Sequence, residues 1–96
     1  MKRVFFGCDP VGKSVIWEEG GFMSVSGALP IAVSDELRRS LLDWNDRMGV
    51  LVRTPERYSQ AELLATRMDL NEEGERLARR IEDEQNGQVD VQYREE

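Results

Sequence analysis

Apolar and polar positions change period twice along the chain. Residues 3–8, Arg-Val-Phe-Phe-Gly-Cys, are rich in aromatic and β-branched side chains and predict a strand with Val4, Phe6 and Cys8 on one face. Asp9-Pro10-Val11-Gly12 is turn material, because Asp favours turn starts, Pro fixes φ and Gly takes positive φ freely. Ser14 to Trp17 predicts a second strand, with Val15 and Trp17 on one face. Glu19-Gly20-Gly21 breaks it, and Phe22 to Val25 predicts a third. Ser26 to Val33 is a connector punctuated by Gly27 and Pro30.

From residue 34 the period lengthens. Leu37, Leu41, Trp44 and Met48 share one helical face, with Ser34 as N-cap, Asp35 and Glu36 at the positive end of the dipole, and Gly49 expected at C′. Asp35–Arg39 and Asp43–Arg47 have the i,i+4 spacing of ion pairs on the wet side. In residues 50–68 a short apolar run, Val50-Leu51-Val52, ends at Thr54-Pro55. Ser59-Gln60-Ala61-Glu62 then has capping-box spacing and predicts a short helix to about Met68. A further helix is predicted over 70–86, from Leu70, Gly74, Leu77, Ala78 and Ile81. On a helical wheel the Ala61/Leu64/Ala65/Met68 stripe points roughly opposite to this later one, so a break is expected at Asp69–Asn71. Glu72–Arg76, Glu75–Arg79, Arg79–Asp83 and Arg80–Glu84 are expected to lace the exposed side. Asn86-Gly87 ends the helix, and Gln88 to Tyr93 predicts a last strand with Val89, Val91 and Tyr93 on one face. The expected fold is α+β. A small antiparallel sheet of three to four strands, made of an N-terminal meander and the C-terminal strand beside the first, is packed by two to three helices in a single domain over residues 1–96.

Composition narrows the chemistry. With 40% apolar and 33% charged residues, the 96-residue chain has the make-up of one globular domain. No apolar run approaches the roughly 20 residues of a membrane span, and the basic-then-apolar start is too short for an export signal. Cys8 is the only cysteine, which fits a reducing cytoplasm and a small buried apolar role. There is no histidine, which removes the commonest general base near neutral pH and the commonest zinc ligand. The net charge is -6, and residues 49–96 hold most of it, with twelve acids against seven bases. That balance disfavours nucleic acid and makes a basic protein partner electrostatically easier. Eleven of the thirteen bases are Arg, a bias that GC-rich genomes tend to write.

Gly7-Cys8-Asp9-Pro10-Val11-Gly12-Lys13-Ser14 satisfies the phosphate-loop pattern letter for letter. In such a loop Gly7 and Gly12 would let amides cradle phosphates, Lys13 would reach the outer phosphates and Ser14 would hold Mg²⁺. The pattern requires a long helix directly after it. Here Val15-Ile16-Trp17 favours strand and Gly20-Gly21 follows, so a hairpin loop is expected and no cofactor. Trp17 and Trp44 are expected as core anchors. Glu72, Glu75, Glu82 and Asp83 lie in exposed phase and are the candidate partner-binding residues; no catalytic residue and no metal site is expected.

Several short pieces carry a resemblance. These are Gly7-Cys8-Asp9-Pro10 followed by a Trp and paired glycines, Leu29-Pro30, Ser34-Asp35-Glu36-Leu37-Arg38, Leu42 to Trp44 with Asn45-Asp46-Arg47, and Glu72-Glu73-Gly74-Glu75-Arg76-Leu77-Ala78 through Val89 to Tyr93. Together they cover most of the chain except residues 50–68, and the chain resembles a loose group of small actinobacterial proteins with no assigned activity. In that group the Trp follows Asp-Pro closely. Here Val11 to Ile16 intervene, so the phosphate-loop letters read as a local insertion. The resemblance implies no activity and no catalytic residues. The expected function is a small, acidic, non-catalytic, cytoplasmic protein–protein interaction module, such as an immunity protein or a phage-encoded inhibitor of a host protein. The alternatives are a nucleotide binder using residues 7–14 and a homodimer or other homo-oligomer that pairs the edge of the first or last strand across a two-fold axis.

Overall fold

The computed structural model describes residues 2–18 and 31–95. The elements are β1 (Lys2–Phe6), β2 (Ile16–Glu18), α1 (Asp35–Arg53), a 3₁₀ turn (Pro55–Arg57), α2 (Gln60–Glu84) and β3 (Val89–Tyr93). The expected third strand, Phe22 to Val25, lies outside the described residues.

The fold is α+β, and its sheet is mixed rather than antiparallel. The strand order is β2-β1-β3; β2 runs antiparallel to β1, with Phe6 opposite Ile16, and β3 runs parallel to it, with Val4 opposite Val91. The direction of β3 follows from the helix count. α1 and α2 form one antiparallel pair, so the chain returns to the end of the sheet where β1 starts and leaves it again in the same sense. The first strand is central in the sheet.

The core is one cluster on one face of this sheet. Val4, Phe6, Ile16 and Val91 are buried against Leu37, Leu41, Trp44 and Met48 of α1 and Leu77, Ala78 and Ile81 of α2. Trp44 is fully buried, 4.7 Å from the Phe6 ring and 5.9 Å from that of Tyr93. Its indole N–H donates to the Leu70 carbonyl at 2.8 Å, so the polar end of the largest core side chain is satisfied where the two helices meet. Trp17 does not follow expectation. Ile16, not Trp17, faces the core; Trp17 lies on the opposite sheet face, half-buried and stacked on Phe5, whose ring also carries the Arg94 guanidinium at 4.5 Å. The pleat requires this, because Trp17 pairs with Phe5 and neighbours in sequence point to opposite faces.

Both helices are longer than their sequence patterns suggested. α1 does not stop at Gly49, which is buried inside it. The helix runs on to Arg53, where the Thr54 N–H and hydroxyl both bond the Val50 carbonyl and Pro55 forbids continuation. Val50-Leu51-Val52 is thus helical, with Leu51 buried. α2 begins at the expected capping box, with Ser59 and Glu62 bonding each other's backbone at 3.0 and 3.1 Å. It then continues through Asp69–Asn71 without a break. Neither Pro nor Gly interrupts it there, and the expected cap Asn71 instead accepts the Tyr93 hydroxyl at 2.5 Å. Asn86 and Gly87 follow the helix at positive φ and turn the chain into β3.

The Asp43–Arg47 pair forms at 2.9 Å, and Arg47 extends as a fork onto Glu73 of α2. Arg79 pairs with Glu82 rather than with the expected Asp83, and Arg80 reaches across to Glu36 of α1. At the same end as the Arg80–Glu36 pair, Glu84 accepts from the Ser34 N–H at 2.7 Å and from its hydroxyl at 2.5 Å, tying the start of α1 to the end of α2. These bonds to Ser34 hold the Glu84 carboxyl below its ordinary value. A depressed carboxylate contributes stability above its unfolded pKa of about 4.3 and loses it as pH falls through the folded value. Thermal melts between neutral pH and the acid range should therefore show a smaller acid-side loss for Glu84→Gln than for wild type. An unchanged slope would count against this clamp.

Gly74 sits where α2 crosses Tyr93. A Cβ there would lie 2.3 Å from the ring. Gly74→Ala should therefore cost about 1–3 kcal/mol by denaturant unfolding, and much of that cost should vanish in a Tyr93→Ala background.

Candidate functional site

Residues 7–14 form a closed loop that holds its own anion. The Asp9 carboxylate accepts the Ser14 N–H at 2.9 Å, and the Asp9 carbonyl accepts the Gly12 N–H at 3.3 Å. A Cβ at Gly12 would come 2.5 Å from the Asp9 carboxylate, so a larger residue there would have to displace that side chain. The Gly7 N–H donates to the Val15 carbonyl at 2.9 Å. Lys13 is exposed, Ser14 is buried, and the chain passes into β2 rather than into a helix. The amides of Gly7, Gly12 and Ser14 that the phosphate pattern would spend on a ligand are thus taken, and a carboxylate sits among them. Gly7, Gly12, Lys13 and Ser14 are neighbours without being an anion cradle.

Sequence reasoning missed the residue that fixes this loop. Asn45 of α1 is buried, at 3% exposure. Its Oδ1 accepts the Asp9 N–H at 2.7 Å, and its Nδ2 donates to the carbonyls of Asp9 at 3.1 Å and Gly12 at 2.9 Å. The Arg53 guanidinium bonds the Pro10 carbonyl. The only signal was a polar residue next to Trp44, in the buried phase of an otherwise apolar helix face. Cys8 is buried beside this network, as expected of a small apolar residue.

The four candidate carboxylates do not form one group. Glu82 is taken: its carboxylate accepts the Val91 N–H at 2.9 Å and pairs with Arg79, whose guanidinium donates to the Val91 carbonyl at 2.8 Å. Together they close the outer edge of β3 at Val91. Asp83 is exposed two turns or more from Glu72 and Glu75. Glu72 and Glu75 are exposed and line a groove together with Leu64, Met68 and Tyr93.

This groove lies on the part of α2 that extends past the sheet. From Gln60 to Asp69 only Leu63 and Thr66 are even half-buried. The stripe predicted to seek a core is here in solvent, with Leu64 59% and Met68 56% exposed. Val50 and Val52, at the facing end of α1, are each 39% exposed. Four of the five large apolar side chains exposed among the described residues thus gather at this helical end. Glu62, at its tip, is held below the ordinary glutamate value by its bonds to Ser59 and is engaged in the cap.

Among the described residues no group of His, Cys, Asp and Glu is arranged to hold a metal ion, and no helix is long and apolar enough to cross a membrane. No family model matches the chain, and neither any curated protein nor any solved structure does.

Replacing Asn45 by Ala would leave Asp9 and Gly12 backbone groups without partners. It should lower stability by about 1–3 kcal/mol and speed amide exchange at Asp9, Gly12 and Ser14 relative to the sheet. Unchanged exchange in that loop would show that Asn45 does not organise it.

Proposed function

We propose that this chain is a non-catalytic, cytoplasmic protein-binding module whose contact surface is the overhanging end of the α1–α2 pair. One observation carries the reading: Leu64 and Met68 stand in solvent on a continuous helix, close to Glu72 and Glu75. Scattered apolar residues on a surface need no explanation, but apolar residues gathered at one end with charges beside them are what partner surfaces present. Met suits such a surface because it is unbranched and adapts its shape.

The wider chemistry supports this reading. The chain has no histidine, its single thiol is buried, and its net charge is -6, so attraction favours a basic protein over a polyanion. The loop with phosphate-binding letters has its amides engaged internally, which speaks against the nucleotide reading. A homodimer built by pairing the first or last strand has little to use, since β1 is central and β3 is closed at Val91. An immunity protein or an inhibitor of a host protein would work in this way, by covering part of its target.

An affinity-tagged full-length chain should retain one stoichiometric partner from native lysate, more weakly as salt rises. Leu64→Glu combined with Met68→Glu should release that partner while leaving the helical spectrum intact, because both side chains are already in solvent. Retention of the same partner by the double variant, or recovery of background alone, would refute the reading.

A further inference from the structure

Resting on that reading, we propose that the groove between the first half of α2 and the end of β3 takes an amphipathic helical segment of the partner, one carrying apolar anchors flanked by Lys or Arg. The groove is about 450 Å³. Leu64, Met68 and the Tyr93 ring supply its apolar surface, and Glu72, Glu75 and Glu95 stand around it against Arg67 alone, a local charge of -2. Tyr93 is anchored from behind, through its hydroxyl on Asn71 and its ring against Gly74, so this wall is pre-formed.

Three features select the occupant. Its backbone form follows from the groove and the β3 edge: the apolar side chains Leu64 and Met68 lie along α2, and Val91 at the middle of β3 has both its N–H and its carbonyl bonded to α2 side chains, which favours a partner helix laid along α2 over a strand added to β3. Its length follows from the span between Leu64 and Glu75, about 16 Å at 1.5 Å per residue, or roughly three turns of a partner helix. Its charge follows from the carboxylates. A second copy of this chain brought groove to groove would set Glu72, Glu75 and Glu95 against their own equivalents, whereas a basic segment meets them with opposite sign. The groove on the other side of α2, lined by Arg47, Val50, Tyr58, Thr66, Asp69 and Leu70, carries one base and one acid and offers no such selection.

The test is an amide NMR titration of the full-length chain with two designed probes, each about four turns of helix long. One is an amphipathic peptide of Leu and Lys; the other has Glu in place of Lys. The Lys peptide should give saturable shifts at Leu64, Met68, Glu72, Glu75 and Tyr93, and the Glu peptide none. Glu72→Gln with Glu75→Gln should weaken the Lys peptide about three- to tenfold without changing the melting temperature. Equal response to both peptides, shifts confined to Val50 and Tyr58, or no shifts would overturn the proposal. Shifts at Leu64 and Met68 that grow with protein concentration alone would assign the groove to a second copy and overturn it as well. If the peptides fail while Leu64→Glu with Met68→Glu still releases the native partner, the overhang remains the binding end and only the basic helix is lost. If that partner is retained, the broader reading falls independently of the peptides.

Discussion

A length mismatch governs this molecule. Helix α2 has 25 residues and is therefore about 37 Å long, whereas β1 and β3 have five residues each and span only about 17 Å. The molecule measures 41 × 25 × 25 Å, so its long axis is little more than this one helix. A sheet of that depth covers the half of α2 that carries Leu70, Leu77, Ala78 and Ile81. The other half is supported by the end of α1 on one side and by nothing described on the other. Trp44 sits at the boundary, packed on Phe6 and Tyr93 and bonded to the Leu70 carbonyl.

Two polar features of the body that resemble binding sites are engaged internally. Asn45 and Asp9 satisfy the backbone of the loop that looks most like a ligand site, and Arg79 with Glu82 satisfies the strand edge that looks most ready to pair. No buried side-chain nitrogen or oxygen among the described residues is left without a partner. A body closed in this way leaves its open valences at the overhang, where apolar side chains and carboxylates share a surface. A sheet edge capped by its own helix also restrains edge-to-edge association, a standing hazard for a three-stranded sheet.

Much of this was legible in the sequence, and the exceptions share a cause. The helical face of Leu37, Leu41, Trp44 and Met48, the caps at Ser34 and Ser59, and the strand face of Val89, Val91 and Tyr93 all follow from period and capping chemistry, which are local. Gly49 reads as a helix end by its local chemistry, but glycine is tolerated inside a helix when tertiary packing holds both sides, and α1 passes through it. A break at Asp69–Asn71 follows from the helical wheel only if both apolar stripes must find one core. The chain buries one and exposes the other. With two long antiparallel helices between the strands, β3 enters at the end where β1 starts and runs parallel to it. Trp17 went to the outer face because a register set by Phe5 and Phe6 is not visible in a three-residue strand. Asn45 and Glu82 looked like ordinary helix polar residues, since their partners lie 36 and nine positions away.

Helix α2 is one helix whose first half keeps an apolar face in water. Met68 and Met48 give a matched pair of methyl probes, the first 56% exposed and the second fully buried. A soluble paramagnetic chelate added to the isolated protein should broaden the Met68 methyl resonance strongly and leave that of Met48 sharp. Equal protection of the two methyls would mean that the stripe is covered within the chain itself, and would contradict the account.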